Sequence, residues 1–290
     1  MNIKGATIKT ARWIRDLGRP LWNTKVGRYT IWQHLSRLFY SLPIAPQYVR
    51  LSWGHTLWFP GGFSGRLEYL AGEYEPEVTQ VVMERVREGM IVVDGGANIG
   101  YYTLLFSHLV GVSGKVYAFE PDPAMYQALL MNIFRNALSN VEAFDYALGK
   151  TSGMALFHAL GGVGSGFAQD SDIGGMHIIV QVVALDSLLE GRERVDFVKL
   201  DVEGTELDCL EGMQNIIAKN PEILVIFEVN LNKLRMGSDA LMNRLKELGL
   251  ESMYAIEYQF HITNEGDLSK AFDRTIAQRR HVFNLLCARH

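Results

Sequence analysis

Residues 94–101 read DGGANIGY and directly follow the apolar run GMIVV at 89–93. A run of β-branched residues that stops at Asp-Gly-Gly predicts the end of a buried strand in a parallel sheet. Residues 99–110 are mostly apolar and are followed by Gly111, which predicts a helix. The stretch is therefore a strand-to-helix turn, and turns at the carboxyl edge of such a sheet bind ligands.

The rest of the chain continues this alternation of strands and helices. After the second strand, Asp122 is suited to the N-cap of a helix and Pro123 to its first position. The pattern predicts an α/β fold with a doubly wound, mostly parallel sheet and a C-terminal antiparallel strand pair. The predicted strands are 91–95, 115–120, 141–146, 195–201, 223–229, 251–259 and 280–287. Helices are predicted at 99–110 and 238–248, a further helix begins near residue 122, and a short one ends at residue 210.

An insertion at about 151–187 separates the third and fourth predicted parallel strands. Its apolar stretches MALFHAL and HIIVQVVAL flank the glycine-rich GGVGSGFAQD, which predicts an antiparallel hairpin with a mobile tip. Such a hairpin would cover the mouth of the site and select the acceptor, although a plain extension of the sheet edge fits the pattern nearly as well.

The N-terminal part of the chain differs from the rest in charge. Residues 1–50 hold nine Lys or Arg and one acid, and all five tryptophans lie before residue 59. Apolar residues recur at helical spacing near 31–39, so we expect a basic, Trp-rich helical arm over residues 1–70, followed by one domain over 71–290. The arm packs on the domain or a second subunit, or it attracts a membrane surface or an acidic substrate such as a phosphate-bearing carrier.

Composition places the chain among ordinary globular proteins, with 48% hydrophobic and 21% charged residues. No nucleic-acid-binding motif accompanies the basic arm, so no nucleic-acid partner is expected. Cys209 and Cys287 lie in apolar sequence, which indicates core residues in a reducing compartment. With no long apolar run and no apolar signal core at the N-terminus, a cytoplasmic location is expected.

Two acids at the tips of successive strands indicate the ligand. The amides at the start of helix 99–110 suit either a pyrophosphate or an amino-acid carboxylate. Asp94 would repel a pyrophosphate but can receive an ammonium group, and Glu120 can accept both hydroxyls of a ribose. A nucleoside joined to an amino acid fits both acids, which predicts S-adenosylmethionine.

Several blocks of sequence together resemble the FkbM family of S-adenosylmethionine-dependent methyltransferases. They are YEPEV, VVDGGANIGYYTLLF, GKVYAFEPDP, NIFRNAL, YALG, ALDSLL, VDFVKLDVEGTELDCLEGM, PEILVIFEVN and a late NLLCAR. The resemblance implies a class I, Rossmann-like methyltransferase that O-methylates a hydroxyl of a sugar, glycolipid or secondary metabolite. It implies that the cofactor is lined by Asp94, Gly96, Ala97, Asn98, Gly100, Tyr101, Glu120, Pro121, Asp145 and Ala147.

Methyl transfer to an alcohol requires alignment of donor and acceptor and removal of a proton. Alternation along strand 195–201 places Lys199 and Asp201 on one face, and Glu228 lies near the end of strand 223–229. If the two strands are neighbours, these three residues form one polar cluster at the carboxyl edge. We expect Asp201 to lie nearest the methyl group and the acceptor oxygen, with Glu228 as the second candidate for base or substrate ligand.

Alternatives to catalysis remain open for the polar residues. Lys199, Asp201 and Glu228 can form a purely structural ion network, or Asp201, Glu228 and Asn230 can hold Mg²⁺, although no metal is predicted. Two glutamates and three histidines are also interpreted as structural residues. Glu203 and Glu206 can cap and flank the short helix after Gly204, and the histidines at 158, 177 and 261 have no partner motif and fit loops or sheet edges.

Two other functional classes compete with a methyltransferase. A nicotinamide oxidoreductase can use the same sheet and a ribose-binding glutamate, but it would favour a phosphate-facing glycine pattern without Asp94. A non-catalytic module that binds cofactor or glycan would not need Asp94, Glu120 and Asp201 together. Which acceptor is methylated, the oligomeric state and the contact made by the arm are not determined by the sequence.

Overall fold

The structure, a computed structural model, describes residues 45–61, 69, 72, 74–161, 165–167, 175–190, 194–234, 236–278 and 280–289. The strands are β1 Gln47–Arg50, β2 Thr56–Phe59, β3 Ile91–Gly95, β4 Lys115–Phe119, β5 Val141–Phe144, β6 Ala147–Leu148, β7 Gly153–Ala159, β8 Gly166–Phe167, β9 Met176–Val183, β10 Phe197–Leu200, β11 Leu224–Asn230, β12 Ser252–Ala255, β13 Phe260–Ile262 and β14 Val282–Ala288. The helices are α1 Pro76–Arg85, α2 Tyr101–Val110, α3 Pro123–Arg135, α4 Leu185–Leu188, α5 Glu206–Glu211, α6 Gln214–Lys219, α7 Ser238–Glu247 and α8 Glu265–Ala277.

A large sheet forms the centre of the described structure. Its strand order is β13-β12-β14-β11-β10-β3-β4-β5, and the strands from β11 to β5 run parallel. The last strand, β14, is antiparallel to both of its neighbours, β11 and β12. This topology confirms the α/β, doubly wound, mostly parallel sheet with antiparallel strands at the C-terminus.

Apolar side chains cover both faces of the sheet because they alternate along the central strands. Val92, Phe197 and Ile226 pack on one face with residues of α1 and α2. Val93 and Val198 pack on the other face with residues of α5, α6, α7 and α8. The carboxyl edge of the parallel strands is thus held between two packed layers.

The predicted cap of α3 is confirmed. The Asp122 carboxylate accepts hydrogen bonds from the amides of Ala124 and Met125, and Pro123 is the first helical residue. Further along α3, Asn132 and Asn136 hydrogen bond to the backbone of β2. The antiparallel pair β1 and β2 is thereby fixed to the domain.

The insertion contains the predicted antiparallel hairpin. β7 and β9 pair antiparallel along their length, and β8 pairs with the far end of β7. β6 joins the other side of β9, so the hairpin belongs to a sheet of its own within the described residues. The glycine-rich centre lies partly outside the described residues, so the mobility predicted for it stays a prediction.

Several elements differ from the sequence prediction. Helix α2 begins at Tyr101 because Asn98 and Gly100 have positive φ, at 52° and 93°. The single strand predicted over 251–259 is wrong: β12 ends at Ala255, and a turn leads to β13. Helices α1, α6 and α8 and strands β1 and β2 were not predicted, and the helical spacing near 31–39 lies outside the described residues.

Candidate active site

The glycines of the turn after β3 are required by a close approach of backbone. Gly96 has a φ of +77°, and a Cβ built on it would lie 1.9 Å from the backbone oxygen of Asp201. The amides of Gly96 and Ala97 both donate to the carbonyl oxygen of Phe119, at 2.9 Å. A side chain at position 96 would therefore push apart the ends of β3 and β10.

Asp94 lies at the tip of β3 and is 1% exposed. Its Oδ2 accepts a hydrogen bond from Oγ1 of Thr103 in α2, at 2.5 Å. Burial raises the pKa of Asp94 to about 6, while the charge of Lys199 and the Thr103 bond oppose the rise. The carboxyl group is therefore positioned and titrates closer to neutrality than an exposed aspartate.

Glu120 follows β4 and is held by backbone on both of its oxygens. Oε2 accepts from the amide of Asn98 at 2.7 Å, and Oε1 accepts from the amide of Asp122 at 2.8 Å. Asn98 turns its amide toward Glu120 by adopting the left-handed conformation, which asparagine tolerates better than most residues. Burial raises the pKa of Glu120 to about 8, against the effect of the two amides.

Asp94 and Glu120 line the same cavity, which is partly open to solvent. The residues of the predicted site that line it are Asp94, Gly96, Ala97, Asn98, Tyr101, Glu120, Pro121, Ala147, Lys199 and Asp201.

Two predicted cofactor residues do not line this cavity. Gly100 begins α2, and a Cβ built on it would lie 2.7 Å from Cδ1 of Leu129. Asp145 is exposed, while the next residue, Tyr146, faces the cavity. The adenine contact predicted for Asp145 has no support from its position and stays a prediction.

Lys199 is the cation of the site and is 2% exposed. It pairs in register with Asp94 of β3, and its Nζ donates to Oδ2 of Asp201 at 3.2 Å. The same Nζ lies 4.5 Å from the ring centroid of Tyr102. Burial lowers the pKa of Lys199, but the surrounding carboxylates, led by Asp201, outweigh it and raise the pKa, so the lysine is charged.

Glu228 does not line this cavity, although β10 and β11 are neighbours as predicted and the charge of Asp201 acts on its carboxyl group. It lines a second, open groove that adjoins the cavity and shares Phe167, Glu203 and Thr205 with it. Burial, followed by the negative charge of Asp201, raises the pKa of Glu228 to about 9. Glu228 therefore keeps its proton at neutral pH.

The remaining polar residues of the sequence analysis, two glutamates and three histidines, have different surroundings. The Glu203 carboxylate forms an ion pair with Lys233 at 3.0 Å. Glu206 is buried, and its Oε1 accepts from the amides of Val202 and Gly204, so it holds the loop before α5. The histidine prediction holds for His261 in edge strand β13, whereas His158 is buried in β7 beside His177.

Sequence reasoning missed an aromatic wall before β3. Tyr69 and Tyr74 line the cavity and stack on each other with ring centroids 4.4 Å apart. The Tyr74 amide donates to the hydroxyl of Tyr101 at 3.1 Å, and Glu75 accepts from the hydroxyl of Tyr102 at 3.1 Å. The block YEPEV, which contains Tyr74 and Glu75, is the signal for this wall in the sequence.

The described residues contain no cluster of three or more His, Cys, Asp or Glu side chains arranged to hold a metal ion. In the same part of the chain, no helix is both long enough and apolar enough to span a bilayer.

Residues 94–252 match the model of the methyltransferase FkbM domain, which is more than half of the chain. The chain belongs to this family. The match begins at Asp94 and contains Glu120, Lys199, Asp201 and Glu228, so the FkbM domain carries both acids of the cavity and the cluster around Lys199. Tyr69, Tyr74 and Glu75 lie before it.

Curated relatives support the same assignment. The chain is 32% identical over 154 residues to the hexuronic acid methyltransferase AglP of Haloferax volcanii, covering 52% of this chain and 61% of that protein. It is 30% identical to the methyltransferase sdnD of Sordaria araneosa, covering 42% and 60%. It is 29% identical to the 31-O-demethyl-FK506 methyltransferase FkbM of Streptomyces tacrolimicus, covering 45% and 62%. The matches span about three fifths of each relative.

Proposed function

We propose that the protein is an S-adenosylmethionine-dependent O-methyltransferase that acts on a hydroxyl group of a sugar, glycolipid or secondary metabolite. The observation that carries the proposal is the pair of buried acids, Asp94 and Glu120, that line one cavity at the ends of neighbouring strands. Family membership and the names of two relatives, a hexuronic acid methyltransferase and an O-demethyl-FK506 methyltransferase, support it.

The residues of the cavity fit this cofactor. Both oxygens of Glu120 accept backbone amides, which fixes the orientation of its carboxyl group. In the neutral form that its raised pKa favours, the group can donate to one ribose hydroxyl and accept from the other. The Asp94 carboxylate is oriented by Thr103 and can receive an ammonium group. Gly96 allows the chain to pass the ligand without a side chain, and Tyr146 and Ala147 form a wall for a planar base.

When bound, the cofactor supplies an electrophilic methyl group, and the protein's own residues prepare the acceptor. We propose that Asp201 is the general base that accepts the proton of the acceptor hydroxyl, because Asp201 lines the cavity and its carboxylate is held by the charged Lys199. Lys199 positions that carboxylate and stabilises negative charge beside it. Glu228 is protonated at neutral pH and adjoins the cavity, so it suits a hydrogen-bond donor to the acceptor better than a base.

We propose that the open groove beside the cavity receives the rest of the acceptor. The cations Lys233 and Arg244 in its lining are paired with Glu203 and Glu211, so neither offers a free positive charge. Such a groove favours an acceptor presented through hydroxyl groups over one bearing a carboxylate or phosphate there. The acidic side chains that line it are Glu203, Glu206, Asp208, Glu211 and Glu228.

The division of the chain into an arm over 1–70 and a domain over 71–290 is also a proposal. Tyr69 lines the cavity and β2 is fixed to α3, so part of the N-terminal region serves the domain. We propose a cytoplasmic location and a small-molecule, glycan or carrier-linked acceptor, with the basic segment contacting a membrane surface or another subunit.

Calorimetric titration of the full chain with S-adenosylmethionine, S-adenosylhomocysteine, NAD and NADP tests the cofactor. Micromolar binding of the first two compounds alone is expected. Binding of a nicotinamide nucleotide would favour the oxidoreductase alternative, and absence of all binding would favour a non-catalytic module. Asp94→Asn, which keeps the size of the side chain but removes its charge, should weaken binding of both adenosyl compounds.

A further inference from the structure

The Asp122 carboxylate is used twice. Oδ1 caps α3 by accepting from the amides of Ala124 and Met125. Oδ2 accepts from the amide of Gly161 and from Oγ of Ser165, each at 2.8 Å. A helix cap needs only the first oxygen, so the second links α3 to the insertion, about 40 residues later in the chain.

Ser165 is oriented by this link. Its Oγ accepts from the amide of Leu160 at 2.9 Å, so its hydroxyl proton is free to point at Asp122. The contact to Asp122 therefore uses a charged acceptor and a hydroxyl donor, and Asp122 is 1% exposed. Such bonds are stronger than those between neutral groups.

The residues that Asp122 fixes are part of the cavity. Ser165 lines it, together with Phe157 of β7 and Phe167 of β8, whose ring centroids are 6.3 Å apart. On the other side, the Asp122 amide donates to Oε1 of Glu120. One residue thus joins the acid assigned to the ribose and the part of the insertion that encloses the same end of the cavity.

We propose that Asp122 is a positioning residue that holds the Ser165 end of the insertion over the nucleoside half of the cofactor and slows release of the demethylated product, S-adenosylhomocysteine. We call the hydrogen-bonded pair Asp122–Ser165 the latch. This inference rests on the proposed function, because it assumes that the cavity binds an adenosyl cofactor. It assigns a role to the insertion that is separate from acceptor selection.

Dissociation kinetics of S-adenosylhomocysteine from the full chain test the latch. Ser165→Ala should release the compound at least roughly tenfold faster, the effect of losing one hydrogen bond to a charged group. Ser165→Thr keeps the hydroxyl and should restore slow release. Asp122→Ser keeps an N-cap residue but lacks the second oxygen, so it should release the compound as fast as Ser165→Ala.

A matched control lies at the opposite end of the insertion. Ser152 accepts from the amide of Ala184 at 3.1 Å and does not line the cavity. Ser152→Ala should leave the release rate within about twofold of the wild-type rate. Equal acceleration by Ser152→Ala, or an unchanged rate in Ser165→Ala, would overturn the latch.

Hydrogen exchange provides a second readout that does not depend on the cofactor. The amides of Leu160 and Gly161 donate to Ser165 and Asp122, so they should exchange faster in Ser165→Ala and Asp122→Ser than in the wild type. Unchanged exchange of both amides would also overturn the latch. If the wild-type chain exchanges as expected but binds no adenosyl compound, the proposed function fails and the role in product release fails with it.

Discussion

The two halves of the cavity are built differently. In the half that contains Asp94 and Glu120, each carboxyl group is oriented by a hydroxyl or by backbone amides of the same or the next structural segment. In the half that contains Lys199 and Asp201, the charge of the buried lysine is offset by the half-buried Asp201 at the end of the same strand and by Asp94 in register on β3. The first half depends on local backbone geometry and the second on the balance of charges, so the two halves should respond differently to substitution.

The largest expected effect lies in the charge-balanced half. Lys199→Met keeps the length of the side chain but leaves Asp201 and Asp94 without their cation, which should lower the free energy of unfolding by about 3–5 kcal/mol. Lys115→Met is the matched control, because Lys115 also pairs with a glutamate and lies near a tyrosine ring but is half-buried. It should cost less than about 1 kcal/mol. Equal losses in urea unfolding would remove the proposed distinction.

The backbone-determined half should fail sterically. Gly96→Ala forces a Cβ against the Asp201 carbonyl in a left-handed conformation, and we expect a loss of about 2–4 kcal/mol in unfolding free energy with no measurable binding of S-adenosylhomocysteine. Gly153→Ala in β7 adds a methyl group with no atom within 4 Å and should be nearly neutral. Thermal unfolding and calorimetry of both variants test this, and wild-type binding by Gly96→Ala would contradict it.

The pH dependence of stability tests the half of the cavity that contains Asp94 and Glu120. The pKa of Glu120 is about 8 in the folded protein and near 4.5 in the unfolded chain, so the native state keeps a proton that the unfolded state releases. Glu120 should therefore lower the free energy of unfolding as pH rises from about 4.5 to about 8, by up to about 1.4 kcal/mol per pH unit, and its contribution should level off above that range. Glu228, with a pKa of about 9, adds a fall of the same sign that continues to about pH 9. Asp94, with a pKa of about 6, adds a fall of the same sign that ends near pH 6.

Glu120→Gln should reduce the slope between roughly pH 6 and 8 by up to about 1.4 kcal/mol per pH unit, and the contribution of Glu228 should remain. Glu142→Gln, on the half-buried β5, should keep the wild-type slope. Urea midpoints at several pH values between 5 and 9 measure both. A slope in Glu120→Gln equal to that of the wild type would show that the Glu120 carboxyl group does not carry the raised pKa.

The smallest effect is expected from a single hydroxyl. Thr103→Val removes the donor to Asp94 without changing the shape of the side chain, and should weaken S-adenosylhomocysteine binding by about 1.5 kcal/mol, roughly tenfold. Thr275→Val removes an equally buried hydroxyl that bonds to Ala271 and Tyr258, far from the cavity. It should reduce stability but leave cofactor affinity unchanged. A similar loss of affinity in both variants would indicate a general effect of destabilisation.

The backbone-determined half is also the half that the sequence predicts best. Asp94, Gly96 and Glu120 lie in short motifs whose geometry depends on the few residues around them, and the Asp122 cap of α3 is equally local. The cluster of Lys199 and Asp201 was predictable because the strand alternates, but the position of Glu228 in a separate groove depends on loops that follow β10 and β11.

The features that sequence reasoning missed depend on long-range contacts. Tyr74 and Ser165 enter the cavity from segments with no apolar periodicity of their own. Helix α8 is the exception, because its cap at Asn264 and its buried face, which includes Leu268 and Ala271, are local features of the sequence. Its signals were present, whereas those for Tyr74 and Ser165 require the tertiary structure.

The place of β14 in the sheet affects how the protein folds during synthesis. β14 pairs with β11 at seven positions and lies between β11 and β12, although it is the last of these strands to be made. From Asn230 to Ala288 a ribosome needs roughly 3–12 s, during which the edge of β11 has no strand beside it. An unpaired edge of this kind promotes association with other chains, so nascent copies should depend on chaperones until residue 288 has emerged.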